Sequence, residues 1–106
     1  EVLLERAVGE LRATVSVRFA VLYAVFEGNI TNEISDDFQL LLSQIRELSL
    51  SKSELIIDVA NVDFCYSTGV KAFLALGQDY LDRPPLKFLI SNKMWQITIW
   101  TIVGVS

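Results

Sequence analysis

The spacing of apolar and polar residues in the first quarter of the chain predicts two strands. Residues 11–19 alternate, with the apolar side chains on one face of a half-buried strand (Leu11, Ala13, Val15, Val17 and Phe19). Residues 20–26 are apolar on both faces, which favours a more central strand. Because 16 residues are too many for one ordinary strand, we expect a break near Arg18.

The residues before and after these two predicted strands show weaker secondary-structure patterns. Residues 1–10 mix apolar and charged residues with no clear period, so they are either a short edge strand or a connector. The step Glu27-Gly28-Asn29 is expected to end the second strand.

The pattern then changes to helical spacing. Thr31, Asn32 or Ser35 can cap this helix, and Asp36 and Asp37 in the first turn suit its positive end. One apolar stripe follows (Phe38, Leu41, Leu42, Ile45 and Leu48), and the polar run 49–53 ends it.

The stretch from Leu55 to Gly77 changes from strand to helix period, which marks a βα unit. An apolar strand at 55–59 is followed by a polar connection that reaches Tyr66-Ser67-Thr68-Gly69. Ser67 is expected at or beside the N-cap of the new helix. The inner helix face holds Val70, Phe73, Leu74, Gly77 and Leu81, and the outer face holds Lys71, Gln78 and Asp82. Open α/β sheets usually place function at such a turn, at the carboxyl end of a strand.

The rest of the chain completes an α/β domain. The helix is expected to end at Arg83-Pro84-Pro85, because proline cannot continue it. The next segment, Leu86 to Ile90, is predicted to be a strand, and residues 93–106 fit either a helix or a strand. We therefore predict one domain over residues 1–106. It has a mixed, largely parallel sheet with helices packed against it and an antiparallel edge pair at the start.

Composition excludes several classes of function. The net charge is -4 and the nine basic residues are scattered, which argues against nucleic acid or an anionic membrane as partner. The absence of histidine removes Ser-His-Asp and Cys-His catalysis. Cys65 is the single cysteine and is expected to be a small buried residue, and Asp58 and Asp63 lack a third ligand. We expect no enzyme activity, no metal and no cofactor.

Three segments resemble the STAS domain family of bacterial anti-sigma-factor antagonists. They are the strand and its extension at 55–64, Ser67-Thr68-Gly69-Val70 at the helix start, and Gly28-Asn29-Ile30-Thr31 before the first helix. The resemblance covers roughly residues 15–104 and implies the STAS fold. Two features depart from the family. Tyr66 stands where an Asp is usual. The family usually has a further strand after the last helix, and here either that strand was cut off or the C-terminal segment substitutes for it. Because an initiator Met is lacking, we expect the chain to be either processed or cut from a longer protein, and we favour the second.

The resemblance implies a cytoplasmic partner-switching protein that regulates transcription. In such proteins a partner serine kinase, which is also the anti-sigma factor, phosphorylates the first hydroxyl residue of the motif, and the modified form is released. Carried over, Ser67 is the acceptor, Thr68 takes the second hydroxyl position as second choice, and Gly69 is the motif glycine. The implied partner-binding surface is Tyr66, Ser67, Thr68, Gly69 and Lys71.

Other interpretations of the same residues remain open at this stage. Ser67 can be a plain helix cap, and Tyr66 can be a partly buried turn residue instead of a partner contact. The domain can be an unphosphorylated STAS scaffold in a larger sensor or anion-transporter protein. A small nucleotide-binding enzyme is the third reading, although no glycine-rich phosphate loop supports it. An exposed C-terminal segment would favour a homo-oligomer.

Overall fold

Five strands form one sheet in their order along the chain, β1-β2-β3-β4-β5. The computed structural model describes residues 1–78 and 86–89. The strands are β1 (Val2–Val8), β2 (Leu11–Arg18), β3 (Val21–Ile30), β4 (Glu54–Cys65) and β5 (Leu86–Leu89). The helices are α1 (Ser35–Ser49), preceded by a short 3-10 turn at Asn32–Ile34, and α2 (Ser67–Gln78).

The sheet is mixed, and the prediction that it is largely parallel is wrong. β1 pairs with β2 and β2 with β3 in antiparallel fashion, whereas β3–β4 and β4–β5 are parallel. The sheet is less parallel than predicted because of residues 1–10. Of the two alternatives for this segment, the edge strand is the one observed: Val2–Val8 adds a third antiparallel strand. The predicted strand at 86–90 is confirmed as β5 over Leu86–Leu89.

A two-residue turn at Phe19-Ala20 joins β2 to β3 and confirms the break expected near Arg18. Both residues have positive φ, 51° and 65°, although neither is a glycine. Two-residue hairpins favour turns with positive φ at both central residues, because that twist matches the flanking strands. Phe19 is 91% exposed, so its placement on the buried face of β2 is wrong. Leu11, Ala13 and Val15 do face the core.

β3 continues to Ile30 and does not end at residues 27–29 as expected. Gly28 adopts φ +100° within the strand, where a Cβ would collide with the backbone carbonyl of Glu10. The N–H of Asn29 donates to that carbonyl at 3.1 Å. The glycine therefore lets the β1–β2 turn lie directly against β3, which carries the chain on to the first helix.

The core lies between one face of the sheet and the two helices. Alternate residues of β3, such as Leu22, Ala24 and Phe26, are fully buried, while those between them are half-buried. Phe26 contacts Phe38 of α1 and Phe73 of α2 in edge-to-face geometry, with ring centroids 6.3 and 5.7 Å apart. This aromatic cluster fixes the position of both helices on the sheet.

The predicted stripe of α1 is confirmed. Four residues of the stripe, Phe38, Leu41, Leu42 and Ile45, are buried, and the half-buried Leu48 packs against the hydrophobic core. The capping predictions are wrong in detail: Thr31 precedes the 3-10 turn without a side-chain cap bond, and Ile34 holds the N-cap position of α1.

α2 buries Gly69, Phe73, Leu76 and Gly77. Val70 and Leu74 are half-buried against the core, so the inner face is turned slightly from the predicted one, toward Leu76. The predictions for Leu81, Asp82, Arg83-Pro84-Pro85, Ile90 and 91–106 fall outside the described residues.

Candidate functional site

The candidate site lies where the parallel strands β3 and β4 end side by side. Ile30 is paired with Cys65, and the N–H of Tyr66 donates to the carbonyl of Ile30 at 2.9 Å. β4 runs six residues beyond the predicted strand end at Val59, so the expected polar connection is strand almost to the turn. The turn from β4 into α2 therefore contains little more than Tyr66.

Ser67 is the first residue of α2, with Tyr66 in the N-cap position. The N–H of Val70 donates to the carbonyl of Tyr66 at 3.0 Å, which is the first bond of the helix. Ser67 thus lies beside the N-cap, as expected, and its side chain is exposed, as are those of Thr68 and Lys71. The N–H groups of residues 67–69 lack partners within the helix, and the helix dipole is positive here, so negative charge at Ser67 is favoured.

Tyr66 is a half-buried turn residue, and its side chain points toward α1. Its hydroxyl donates to Oγ of Ser35 at 2.9 Å. Its ring meets that of Phe38 edge-on, with centroids 6.5 Å apart and an interplanar angle of 72°. Tyr66 is thus a partly buried turn residue, and its role as a partner contact stays a prediction.

Gly69 is buried because the Tyr66 ring lies over it. A Cβ at this position would be 2.6 Å from Cε1 of Tyr66 and 2.9 Å from Sγ of Cys65. No side-chain bearing residue fits without moving one of these groups. The motif glycine therefore allows the close approach of a neighbouring side chain, and that neighbour is Tyr66.

The elements that flank the turn, β4 and the start of α1, carry exposed groups that the sequence did not assign to the site. Phe64, near the end of β4, is 53% exposed. The start of α1 contributes exposed acidic residues, Glu33, Asp36 and Asp37. Phe64 could have been noticed as a large apolar residue between Asp63 and the turn. The sequence offered Ser35 only as a candidate helix cap, and its contact with Tyr66 had no sequence signal because the two residues are 31 positions apart.

Cys65 and Asp58 have structural roles. Cys65 is buried, and burial raises the pKa of its thiol to about 12, so it is not a reactive thiolate near neutral pH. Oδ1 of Asp58 accepts the N–H of Ala60 at 3.1 Å, two residues further along β4. The pairing of β3 with β4 shifts register after Asp58, so this bond stabilises an irregularity of the strand.

The step that resembles the family motif before the first helix also lies at this edge. Nδ2 of Asn29 donates to Oε1 of Glu10 at 2.9 Å, next to the close contact at Gly28. These contacts fix the end of β3, which in turn accepts the N–H of Tyr66.

In the part of the chain that the structure describes, no helix is long and apolar enough to cross a membrane.

Comparisons with known proteins support the fold. Neither a protein-family model nor a curated protein matches the chain in sequence. A solved structure, that of an anti-sigma factor antagonist from Mycobacterium paratuberculosis, is similar with a TM-score of 0.72 and 16% sequence identity. The match covers 89% of this chain and 78% of that one. The chain therefore has the fold of an anti-sigma factor antagonist, as the resemblance to STAS domains predicted.

Proposed function

We propose that this domain is a non-enzymatic regulatory module that binds a protein partner and changes partners when Ser67 is phosphorylated. The observation that carries the proposal is the exposed hydroxyl of Ser67 at the first residue of α2, at the carboxyl end of β4. By the resemblance to STAS domains, Ser67 takes the position of the family's acceptor serine, and the fold is that of an anti-sigma factor antagonist. Thr68, also exposed, is the second-choice acceptor.

The proposed modification changes the surface and leaves the fold intact. A serine kinase would transfer the γ-phosphoryl group of ATP to Oγ of Ser67, releasing ADP and the hydroxyl proton. The phosphate would add a charge of about -1.5 to -2 at pH 7 to a chain of net charge -4. At a helix start this charge is favoured by about 0.3–1 kcal/mol when exposed. Because the side chain is exposed, the added bulk displaces nothing in the core.

The partner would be a protein of the serine-kinase and anti-sigma-factor type, which implies a cytoplasmic role in transcription. Its docking surface would centre on Ser67, Thr68 and Lys71, with Tyr66 and Gly69 shaping the turn beneath them. The 53% exposed Phe64 adds an aromatic side chain, a class of residue that is enriched in the core of protein interfaces. Phosphate in the middle of such a surface would add charge that the unmodified contact was not built to accept.

The first experiment is phosphorylation of the domain in an extract of its source organism with ATP, followed by intact mass and peptide mapping. Ser67→Ala is the test variant, and Ser51→Ala, another exposed serine, is the matched control. One phosphate that maps to Ser67, persists in the control and is absent from Ser67→Ala supports the switch. If an authentic family member is labelled in the same extract and this domain is not, the phosphorylation switch is refuted. The alternative hypothesis, an unphosphorylated STAS scaffold in a larger protein, would then be favoured.

A second experiment tests the change of partner. The kinase that labels Ser67 is purified, and its affinity for the wild type, Ser67→Ala and Ser67→Asp is measured by calorimetry. The alanine variant is expected to stay bound, and the aspartate variant to bind at least several-fold more weakly. Equal affinity of the wild type and both variants would contradict a switch at this residue.

A further inference from the structure

Tyr66 connects two helix starts that are far apart in the sequence. Its backbone belongs to the start of α2, since its carbonyl accepts the N–H of Val70. Its hydroxyl reaches the start of α1, where it donates to Oγ of Ser35 at 2.9 Å. We call this contact the Tyr66–Ser35 bridge.

The bridge is held from three sides. The ring of Tyr66 contacts Phe38, one turn along α1 from Ser35. It lies over Gly69, where any larger residue would collide with it. The backbone N–H of Tyr66 is bonded to Ile30 of β3. Few rotamers of the side chain satisfy all these contacts, so the hydroxyl is directed at Ser35 by the surrounding structure and not only by its own bond.

The glycine at position 69 is required by this contact and not by its backbone conformation. Gly69 has an ordinary helical backbone and no positive φ, so its conformation does not require glycine. Glycine within a helix is less favourable than alanine. The space it leaves is taken by the Tyr66 ring and Cys65 Sγ. The helix start is therefore shaped around the side chain that forms the bridge.

We propose that Tyr66 is the positioning residue of the Ser67 turn. The hydroxyl of Ser67 is exposed, and the Tyr66–Ser35 bridge slows its phosphorylation by keeping the backbone on either side of it helical and held against the start of α1. Its regulatory consequence rests on the proposed function of Ser67. A kinase must reach the hydroxyl and the backbone on either side of it, and Tyr66 is the residue immediately before. While the bridge is closed, the first turn of α2 stays helical. When Ser35 is bonded to another group or modified, the bridge opens and Ser67 becomes easier to phosphorylate.

The bridge makes a specific prediction about hydrogen exchange. Val70 and Phe38 carry the first helical N–H groups of α2 and α1. Tyr66→Phe removes only the donor hydroxyl, and Ser35→Ala only the acceptor. Losing one hydrogen bond of ordinary strength corresponds to an increase of about two- to tenfold in the exchange rate of amides that open with it.

Exchange of these two amides is measured by NMR in the wild type, both single variants and the double variant. Tyr23→Phe and Ser43→Ala are the matched controls, a half-buried tyrosine of β3 and an exposed serine of α1. Each single variant is expected to accelerate both amides, including the one in the unsubstituted helix, and the double variant to add nothing. The proposed bridge would be refuted if a single variant accelerated amide exchange only in the helix that carries the substitution. It would also be refuted if the rate increases of the two single variants multiplied in the double variant.

The rate of phosphate incorporation at Ser67, with extract and ATP, tests the regulatory part. Tyr66→Phe and Ser35→Ala are expected to be labelled about two- to tenfold faster than the wild type, and the two controls at the wild-type rate. Equal rates in all five proteins would overturn control by the bridge. If no protein is labelled at Ser67, the proposed function fails and regulation of Ser67 fails with it, while the exchange experiment still decides whether Tyr66 positions the turn.

Discussion

Gly69→Ala tests how tightly the Ser67 turn is packed. The new Cβ would lie 2.6 and 2.9 Å from Cε1 and Cδ1 of Tyr66, and 2.9 Å from Sγ of Cys65. Carbon atoms pack at about 3.5–4.0 Å, so the Tyr66 ring must move by about 1 Å. That movement breaks the 2.9 Å bond to Ser35 and the edge-on contact with Phe38.

The expected magnitude follows from these losses. The hydrogen bond contributes about 0.5–1.5 kcal/mol to the free energy of unfolding. The aromatic contact contributes a similar amount, about 0.5–1.5 kcal/mol. Alanine has a higher helix propensity than glycine, which stabilises the folded state by about 1 kcal/mol. Gly69→Ala should therefore destabilise the domain by about 1 kcal/mol, although the same change in an uncrowded helix would stabilise it.

A double-mutant cycle with Tyr66→Ala isolates the contact. When the ring is absent, the new Cβ of Gly69→Ala is close only to Sγ of Cys65. That contact is present with either tyrosine or alanine at position 66, so it cancels in the cycle. We expect a coupling free energy of about 1–3 kcal/mol between positions 66 and 69. The assay is urea unfolding followed by far-UV circular dichroism. Ala75→Gly, at an exposed position of α2, calibrates the propensity term in the same helix.

Coupling of less than about 0.3 kcal/mol, the level at which independent sites add, would refute the reasoning. It would mean that the ring does not lie over Gly69 in solution. The Tyr66–Ser35 bridge would lose its support with it, because the ring position directs the hydroxyl toward α1.

Further predictions concern the core, the thiol, the hairpin and the acceptor. Phe73→Ala, at a fully buried ring in contact with Phe26 and Phe38, should cost about 3–5 kcal/mol in urea unfolding, and a near-neutral result would contradict the helix orientation. Cys65, with its pKa raised from 9.0 to about 12 by burial, should resist alkylation at pH 8 until the domain is unfolded in urea. Its contribution to stability should be complete below pH 9 and be lost as pH rises toward 12, because only the unfolded thiol ionises readily; rapid alkylation of the folded protein would contradict this. Ala20→Gly should raise the unfolding midpoint, since Ala20 has φ 65°, and a lower midpoint would contradict the positive φ. Ser67→Ala should change stability by less than about 0.5 kcal/mol, because Tyr66 and not Ser67 holds the N-cap position; a loss above about 1 kcal/mol would show a capping bond.

The sequence predicted the elements with strong periodicity. The stripe of α1 and the change of period at the β4–α2 turn were enough to place both helices and the turn that contains Ser67. These signals come from burial, which repeats along the chain in a form that the sequence displays directly. The resemblance to STAS domains then implied that Ser67 is the acceptor, a role that no spacing argument could assign and that stays a prediction.

The errors arose where tertiary contacts overrode local signals. Gly28 looks like the end of a strand, but it continues β3 because the carbonyl of Glu10 needs the space of its missing side chain. Phe19 continues an apolar alternation but lies in an exposed turn. The contact of Tyr66 with Ser35 spans 31 residues and has no local signature at all. Such contacts depend on which elements meet, and the sequence alone does not specify that.

The two halves of the sheet are connected in different ways, and this has a consequence for the order in which the chain acquires structure during synthesis. β1, β2 and β3 are joined by two-residue turns, so the first 30 residues can pair with one another as soon as they leave the ribosome. β4 can join β3 only after the whole of α1 has been made, because a parallel pairing needs a long crossover. Until then the second edge of β3, with Leu22, Ala24 and Phe26 on one face, is open to pairing with other chains. The nascent protein is therefore most prone to aggregation while α1 and β4 are being translated.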